Sequence, residues 1–290
     1  MRLCGWGSVD SDDFERGKHV GEEREYLLGT DDDELARLGF QHQVWTADAV
    51  RAWDRAGFAP GQALLDVGCG PGYATLDLAR LVGPRGRVHG VDVSARFVAH
   101  LRARAEAMGA RNVTAEVLDL TAADLPAEEF DGAYARWVLC FVSDPAAVVR
   151  RVAAALKPGA PFVVWDYLRY DGVVMAPGDP AFDRVFGAMV ESWRATGGDG
   201  SIGQRVPGMM VDAGLEIIHV EPVIRGALPR SALWQWPRTF FTNFLPSLVE
   251  RGFITRADAD AFDARWAERE QDPGAFFSTP PQVAVIGVKL

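Results

Sequence analysis

Lysine is nearly missing from this 290-residue chain: it stands only at positions 18, 157 and 289, so arginine carries almost all the positive charge. A GC-rich coding sequence accounts for that bias without any chemistry. Cysteine is scarce too. Cys4, Cys69 and Cys140 are odd in number and unclustered, which excludes a disulfide framework and a cysteine metal site. A reduced, cytoplasmic setting is expected, and no metal. Apolar runs reach only strand length, so no membrane-spanning helix is predicted. Residues 1–17 lack an apolar core, so no signal peptide is expected there. Positive charge is in deficit overall, with a net charge of −10. That balance gives no electrostatic footprint for nucleic acid or an anionic membrane. The expected partner is a small molecule, with the chain acting as a monomer or homodimer.

What is present begins with Ala63 to Tyr73, which reads ALLDVGCGPGY. Ala63–Val67 is an apolar strand broken only by Asp66. Gly68, Gly70 and Gly72 follow at alternate positions, and residues 75–81 then carry helical apolar spacing. Strand, glycine turn and helix together let backbone pass close beneath a nucleotide. Two familiar versions of that arrangement do not fit. A dinucleotide fingerprint wants glycine where Tyr73 stands, and a phosphate-cradling P-loop wants a Gly-Lys-Ser/Thr ending. Asp66, at the strand's carboxyl end, would repel a pyrophosphate but suits a cation such as an amino group.

Further strands are expected at Arg87–Val91, Val113–Leu118, Phe130–Ala135, Phe162–Tyr167, Leu215–Val223 and Gln282–Val288. Helices are expected at Glu34–Ala56, Ala74–Leu81, Ala95–Met108, Pro145–Leu156 and Ala181–Ala195. The alternation predicts an α/β fold with a doubly wound, mostly parallel sheet. Asp92 ends the second strand, 20 residues past Gly72. It would accept from ribose hydroxyls, or else cap the following helix, with Ser94 a rival cap.

The glycine turn with Asp66 ahead of it resembles the first motif of the class I S-adenosylmethionine-dependent methyltransferases. LKPGAPFVVWDY (156–167) is similar to that family's post-helix turn and fifth strand, with Ala160 where a second glycine is usual. The resemblance implies a seven-stranded Rossmann-like sheet ending in an antiparallel strand, with S-adenosylmethionine as cofactor and S-adenosylhomocysteine as product. It implies Asp66 at the cofactor's amino group, Asp119 at the adenine amino group, and Leu118 and Leu120 beside the ring. Val93 and Phe97 would add apolar contact to the adenine. Arg136, at the end of the fourth strand, would meet the methionine carboxylate. Trp137 would line the passage to the acceptor, or be ordinary core.

Upstream, YLLG (26–29), ELARLG (34–39) and Gln41–His42 resemble bacterial methyltransferases of ubiquinone and menaquinone biosynthesis, in which Tyr26 and Gln41 would cover the cofactor. His42 is a candidate base or acceptor-orienting group, or a non-catalytic histidine. Asp166 or Tyr167 would touch the acceptor, with Tyr167 a second candidate for acid/base help. Residues 234–244 (WQWPRTFFTNF) are the candidate substrate wall, with Trp234, Phe241 and Arg238 as contacts. Residues 1–25 are expected to be an extension, and insertions at about 168–207 and 224–281 to form a lid over the domain at 26–290. The Asn/Asp-Pro-Pro-Tyr motif of amino-methylating enzymes is absent where ARWV stands. The reading is methyl transfer to a small, hydrophobic or aromatic metabolite, by in-line displacement aided mainly by positioning. The alternatives are a nicotinamide-dependent oxidoreductase and a protein of the same fold that binds the cofactor without transferring methyl.

Overall fold

Strands that are apolar on both sides can satisfy themselves only inside a sheet covered by helices on each face. The computed structural model, which describes residues 32–290, has that arrangement. The strands β1 (Ala63–Val67), β2 (Arg87–Asp92), β3 (Val113–Val117), β4 (Gly132–Arg136) and β5 (Pro161–Tyr167) are parallel. β1 and β5 are buried along their whole length, as strands covered on both faces must be. Past β5 come β6 (Val174–Ala176), β7 (Leu215–Val223), β8 (Gly226–Ala227), β9 (Phe276–Ser278) and β10 (Gln282–Lys289). β10 runs antiparallel between β5 and β7, giving the order β3-β2-β1-β4-β5-β10-β7. All seven expected strands are present. The fourth starts two residues late, because Phe130 makes only an isolated bridge to Leu156.

The helices are α1 (Asp32–Ala56), α2 (Tyr73–Val82), α3 (Ala95–Ala107), α4 (Pro145–Ala155), α5 (Pro180–Ala195), α6 (Val206–Asp212), α7 (Ala232–Glu250) and α8 (Arg256–Gln271). Local chemistry starts several of them. Ser94 caps α3, and Asp144 followed by Pro145 opens α4. Thr255 and Asp258 form a reciprocal capping box on α8.

The two expected insertions supply α5, α7, α8 and a small antiparallel sheet, β6-β9-β8. They are tied together by rings. Phe262 meets Phe182 at 5.5 Å, Phe241 at 5.0 Å and Trp266 at 5.6 Å. Each such ring contributes roughly 1.5–3 kcal/mol by burial, so this cap has a core of its own. Sheet order reverses between β1 and β4, and the crevice above that reversal is where open α/β sheets place ligands.

Candidate functional site

A cavity of about 500 Å³ opens above the carboxyl ends of β1, β2 and β4, floored by the glycine loop and roofed by α1 and the cap. That size suits a cofactor-scale ligand. Gly68, Gly70 and Gly72 all adopt positive φ, at 61°, 52° and 84°. At Gly72 a Cβ would sit 2.2 Å from Leu101 Cδ1, so packing alone demands glycine. Gly70 is different: a Cβ there meets nothing within 4 Å. Its conformation still favours glycine, and it lies on the cavity wall, where a side chain would take ligand space.

Gly70 donates its N–H to Asp92 Oδ2 (2.8 Å), and Ser94 N–H donates to Asp92 Oδ1 (2.9 Å). The carboxylate therefore ties the glycine loop to the end of β2. Ser94 is the helix cap, accepting from Phe97 N–H, so the alternative of Asp92 as cap is settled against it. Burial pushes the Asp92 carboxyl above its ordinary range, opposed by these backbone donors.

Asp66 is 2% exposed and accepts from Thr75 Oγ1 at 2.6 Å. It has no salt-bridge partner among the described residues. Burial raises its pKa from 3.8 to about 7, the Thr75 hydrogen bond and the Arg136 charge opposing the rise. A buried carboxyl poised near neutrality suits a ligand that brings its own positive charge.

Arg136 ends β4, which pairs with β1 so that Asp66 faces Tyr134 and Val67 faces Ala135. Its guanidinium is half-buried on the cavity wall, and its Nη2 donates to His42 Nδ1 at 3.0 Å. Nη1 and the Tyr134 hydroxyl are enclosed side by side, close enough for the Arg136 charge to act on the phenol. The other ring nitrogen of His42, Nε2, lies 2.9 Å from Asp77 Oδ2. Burial lowers the His42 pKa, and Arg136 and Arg104 push it the same way against Asp77.

The side nearer the cap is aromatic. Trp137 holds an unusual φ of 54°, donates Nε1–H to Gln282 Oε1 (3.1 Å), and lies parallel to Tyr167 and Trp236 at 6.1 and 6.0 Å. It is at once core and cavity wall. A left-handed non-glycine residue is strained by ~1–3 kcal/mol, a cost typical of ligand sites. Tyr167, Tyr170, Phe141, Trp193 and Phe240 complete that wall. Burial holds the Tyr167 and Tyr170 phenols protonated. They are donors rather than bases. α1 adds Arg37, clamped by Glu34 at 2.6 Å and donating to Gln41 Oε1 at 3.0 Å. Gln41 Oε1 also accepts from Trp236 Nε1–H at 2.9 Å.

The cavity thus brings together Gln41, His42, Asp66, Gly68, Gly70, Asp92, Val93, Phe97, Leu118, Asp119, Leu120, Arg136, Trp137 and Tyr167. Gly72 supports the loop from behind. Tyr26 lies outside the described residues. Four expected contacts are corrected. Asp166 points away from the cavity, because neighbouring strand residues face opposite sides; it accepts from Cys140 and Tyr167 N–H groups. Trp234, Arg238 and Phe241 share the far face of α7. Trp234 packs on Trp266 at 5.3 Å, Arg238 pairs with Asp263 at 2.5 Å, and Phe241 is buried in the cap. Trp236, Pro237 and Phe240, offset around the same helix, face the cavity instead.

A glycine loop, an acidic group ending β2 and a buried carboxyl beside an arginine thus line one cavity. A methyltransferase-domain family model matches residues 64–159. An uncharacterized 37.1 kDa protein in transposon TN4556 of Streptomyces fradiae is 31% identical over 243 residues, covering 78% of this chain and 68% of that protein. The demethylmenaquinone methyltransferase of Bacillus cytotoxicus is 30% identical over 207 residues, covering 65% of this chain and 84% of that protein. Among solved structures, phosphoethanolamine N-methyltransferase 2 of Haemonchus contortus, in complex with S-adenosyl-L-methionine, superposes with a TM-score of 0.58 at 18% identity, covering 93% of this chain and 60% of that one. This chain belongs to the class I S-adenosylmethionine-dependent methyltransferases. Its cofactor is S-adenosylmethionine, and the nicotinamide alternative is set aside. No helix among the described residues is long and apolar enough to cross a membrane.

Proposed function

We propose that this enzyme methylates a small, hydrophobic or aromatic metabolite, with positioning as the main source of rate. The observation that carries the reading is the single cavity running from the glycine loop to a wall of Trp137, Trp193, Trp236, Tyr167, Tyr170 and Phe240. Aromatic side chains in such number favour a flat apolar acceptor, and two protonated phenols offer it hydrogen-bond donors. The name of the Bacillus relative, a methyltransferase of demethylmenaquinone, points the same way.

In this reading Asp66 pairs with the cofactor's amino group, Arg136 with its carboxylate, Asp92 with the ribose, and Leu118, Asp119 and Leu120 with the adenine. The cofactor supplies an electrophilic methyl group on a sulfonium. The chain's residues hold the acceptor in line with it and keep water out.

Transfer of labelled methyl to a panel of acceptors tests this. Ring-containing apolar acceptors such as hydroquinones and phenols are expected to become labelled, and Trp236→Ala to lower that turnover. Labelling confined to polar acceptors or nucleic acid, or none at all from protein that still binds S-adenosylhomocysteine, would overturn it.

A further inference from the structure

His42 sits between two charged groups from different elements, and the chemistry of one of them fixes its state. A guanidinium has only donors, so the 3.0 Å contact from Arg136 Nη2 requires a lone pair on Nδ1. The proton of the neutral ring must then be on Nε2, where it donates to Asp77 Oδ2 at 2.9 Å. Both nitrogens are engaged, and no lone pair is left to take a proton from an acceptor. The groups facing the ring are Asp77 from α2, Arg136 from β4 and Arg104 from α3, and Tyr73 stacks on it at 6.2 Å. Asp77 also accepts from Arg80, so it is itself anchored.

We infer that His42 is a positioning residue: pinned by Asp77 in its Nε2–H form, it holds the Arg136 guanidinium at the amino-acid end of the cofactor, beside Asp66. This rests on the proposed pairing of Arg136 with the cofactor carboxylate. The lowered pKa of His42 keeps the ring neutral near pH 7, as acceptance from an arginine requires. Protonation would set an N–H against the guanidinium and push it away.

The test is calorimetry with two probes, S-adenosylhomocysteine and its decarboxylated analogue, which keeps the amine and loses the carboxylate. Wild type should prefer the intact ligand by tenfold or more. Arg136→Ala should abolish that preference and His42→Leu should reduce it severalfold. His42→Asn, which sets an amide oxygen near the Nδ1 position, should retain most of it. Asp77→Asn, an isosteric change at a partly exposed site on α2, should weaken binding of the intact ligand only and so tests the relay even if a core variant misfolds. If Arg136→Ala abolishes the preference but His42→Leu and Asp77→Asn keep it, the role of His42 is overturned while the Arg136 pairing stands. If Arg136→Ala itself keeps the preference, the pairing falls and the inference falls with it.

Discussion

Asp66 should make cofactor binding depend on pH in a defined direction. In the free protein its carboxyl is neutral up to about pH 7, because burial penalises the anion. Pairing with an ammonium requires the anion. Affinity should therefore be flat above pH 7 and fall about tenfold per unit below it, reaching about a hundredfold, or ~2.7 kcal/mol, at pH 5. The same shift acts oppositely on the fold. Since the folded pKa is raised from 3.8 to about 7, this group favours the folded state at low pH, and that advantage is lost as pH rises between those values. The loss amounts to about 4 kcal/mol by pH 8. Asp66→Asn keeps an oxygen for Thr75 but forms no anion. It should bind S-adenosylhomocysteine weakly with a much shallower pH slope, and melt higher than ligand-free wild type by a margin that is larger at pH 8 than at pH 5. Calorimetry from pH 5 to 7.5, where the ligand's amine stays protonated, measures the first effect, and thermal melts measure the second. Equal pH slopes for wild type and Asp66→Asn would refute the pairing.

Asp92→Ala removes an acceptor that holds the Gly70 N–H and is proposed to hold the ribose, so S-adenosylhomocysteine affinity should drop by about 1.5–3 kcal/mol by calorimetry; an unchanged value contradicts that assignment. Trp137→Ala should lower kcat more than it weakens cofactor binding, since its neighbours are the aromatic wall, and steady-state kinetics beside calorimetry separates the two. Arg238→Ala loses only a part-exposed pair with Asp263 and should leave turnover unchanged and stability within about 0.5 kcal/mol, read from a melt. Residues 168–207 and 224–281 should gain hydrogen-exchange protection when cofactor and acceptor are both added, and identical protection without them would mean the cap is already closed.

The sheet was legible because its strands are short apolar runs between glycine and proline signals, and one half of the cavity lining because its residues stand at or near strand ends. Asp92 and Arg136 end β2 and β4, Asp66 is next to last in β1, and Asp119 follows β3 by two residues, so chain order nearly dictates their place. The cap was not. α7 contains Pro237 and Pro246, which mask helical periodicity, and α8 buries only Ala259, Phe262 and Trp266. The Thr255–Asp258 capping box was the available signal for α8. Choosing the cavity face of α7 required knowing where α8 packs, which is long-range information. That is why Trp234, Arg238 and Phe241 were expected where Trp236, Pro237 and Phe240 stand. The relay through His42 joins residues 35 and 94 positions apart, beyond any spacing rule.

One joint has a consequence for redesign. Gln41 accepts from Arg37 on its own helix and from Trp236 on the cap, while the adjacent His42 reaches Arg136 on the sheet. Helix α1 is thus a hinge pin shared by two compartments. A chimera that exchanges 224–281 for another cap to change the acceptor would need an indole N–H, or another donor, at position 236. Without it Gln41 loses a partner, and a change intended for the acceptor reaches the amino-acid end of the cofactor one residue away. Substrate range and cofactor affinity in this chain are therefore expected to evolve together through one helix.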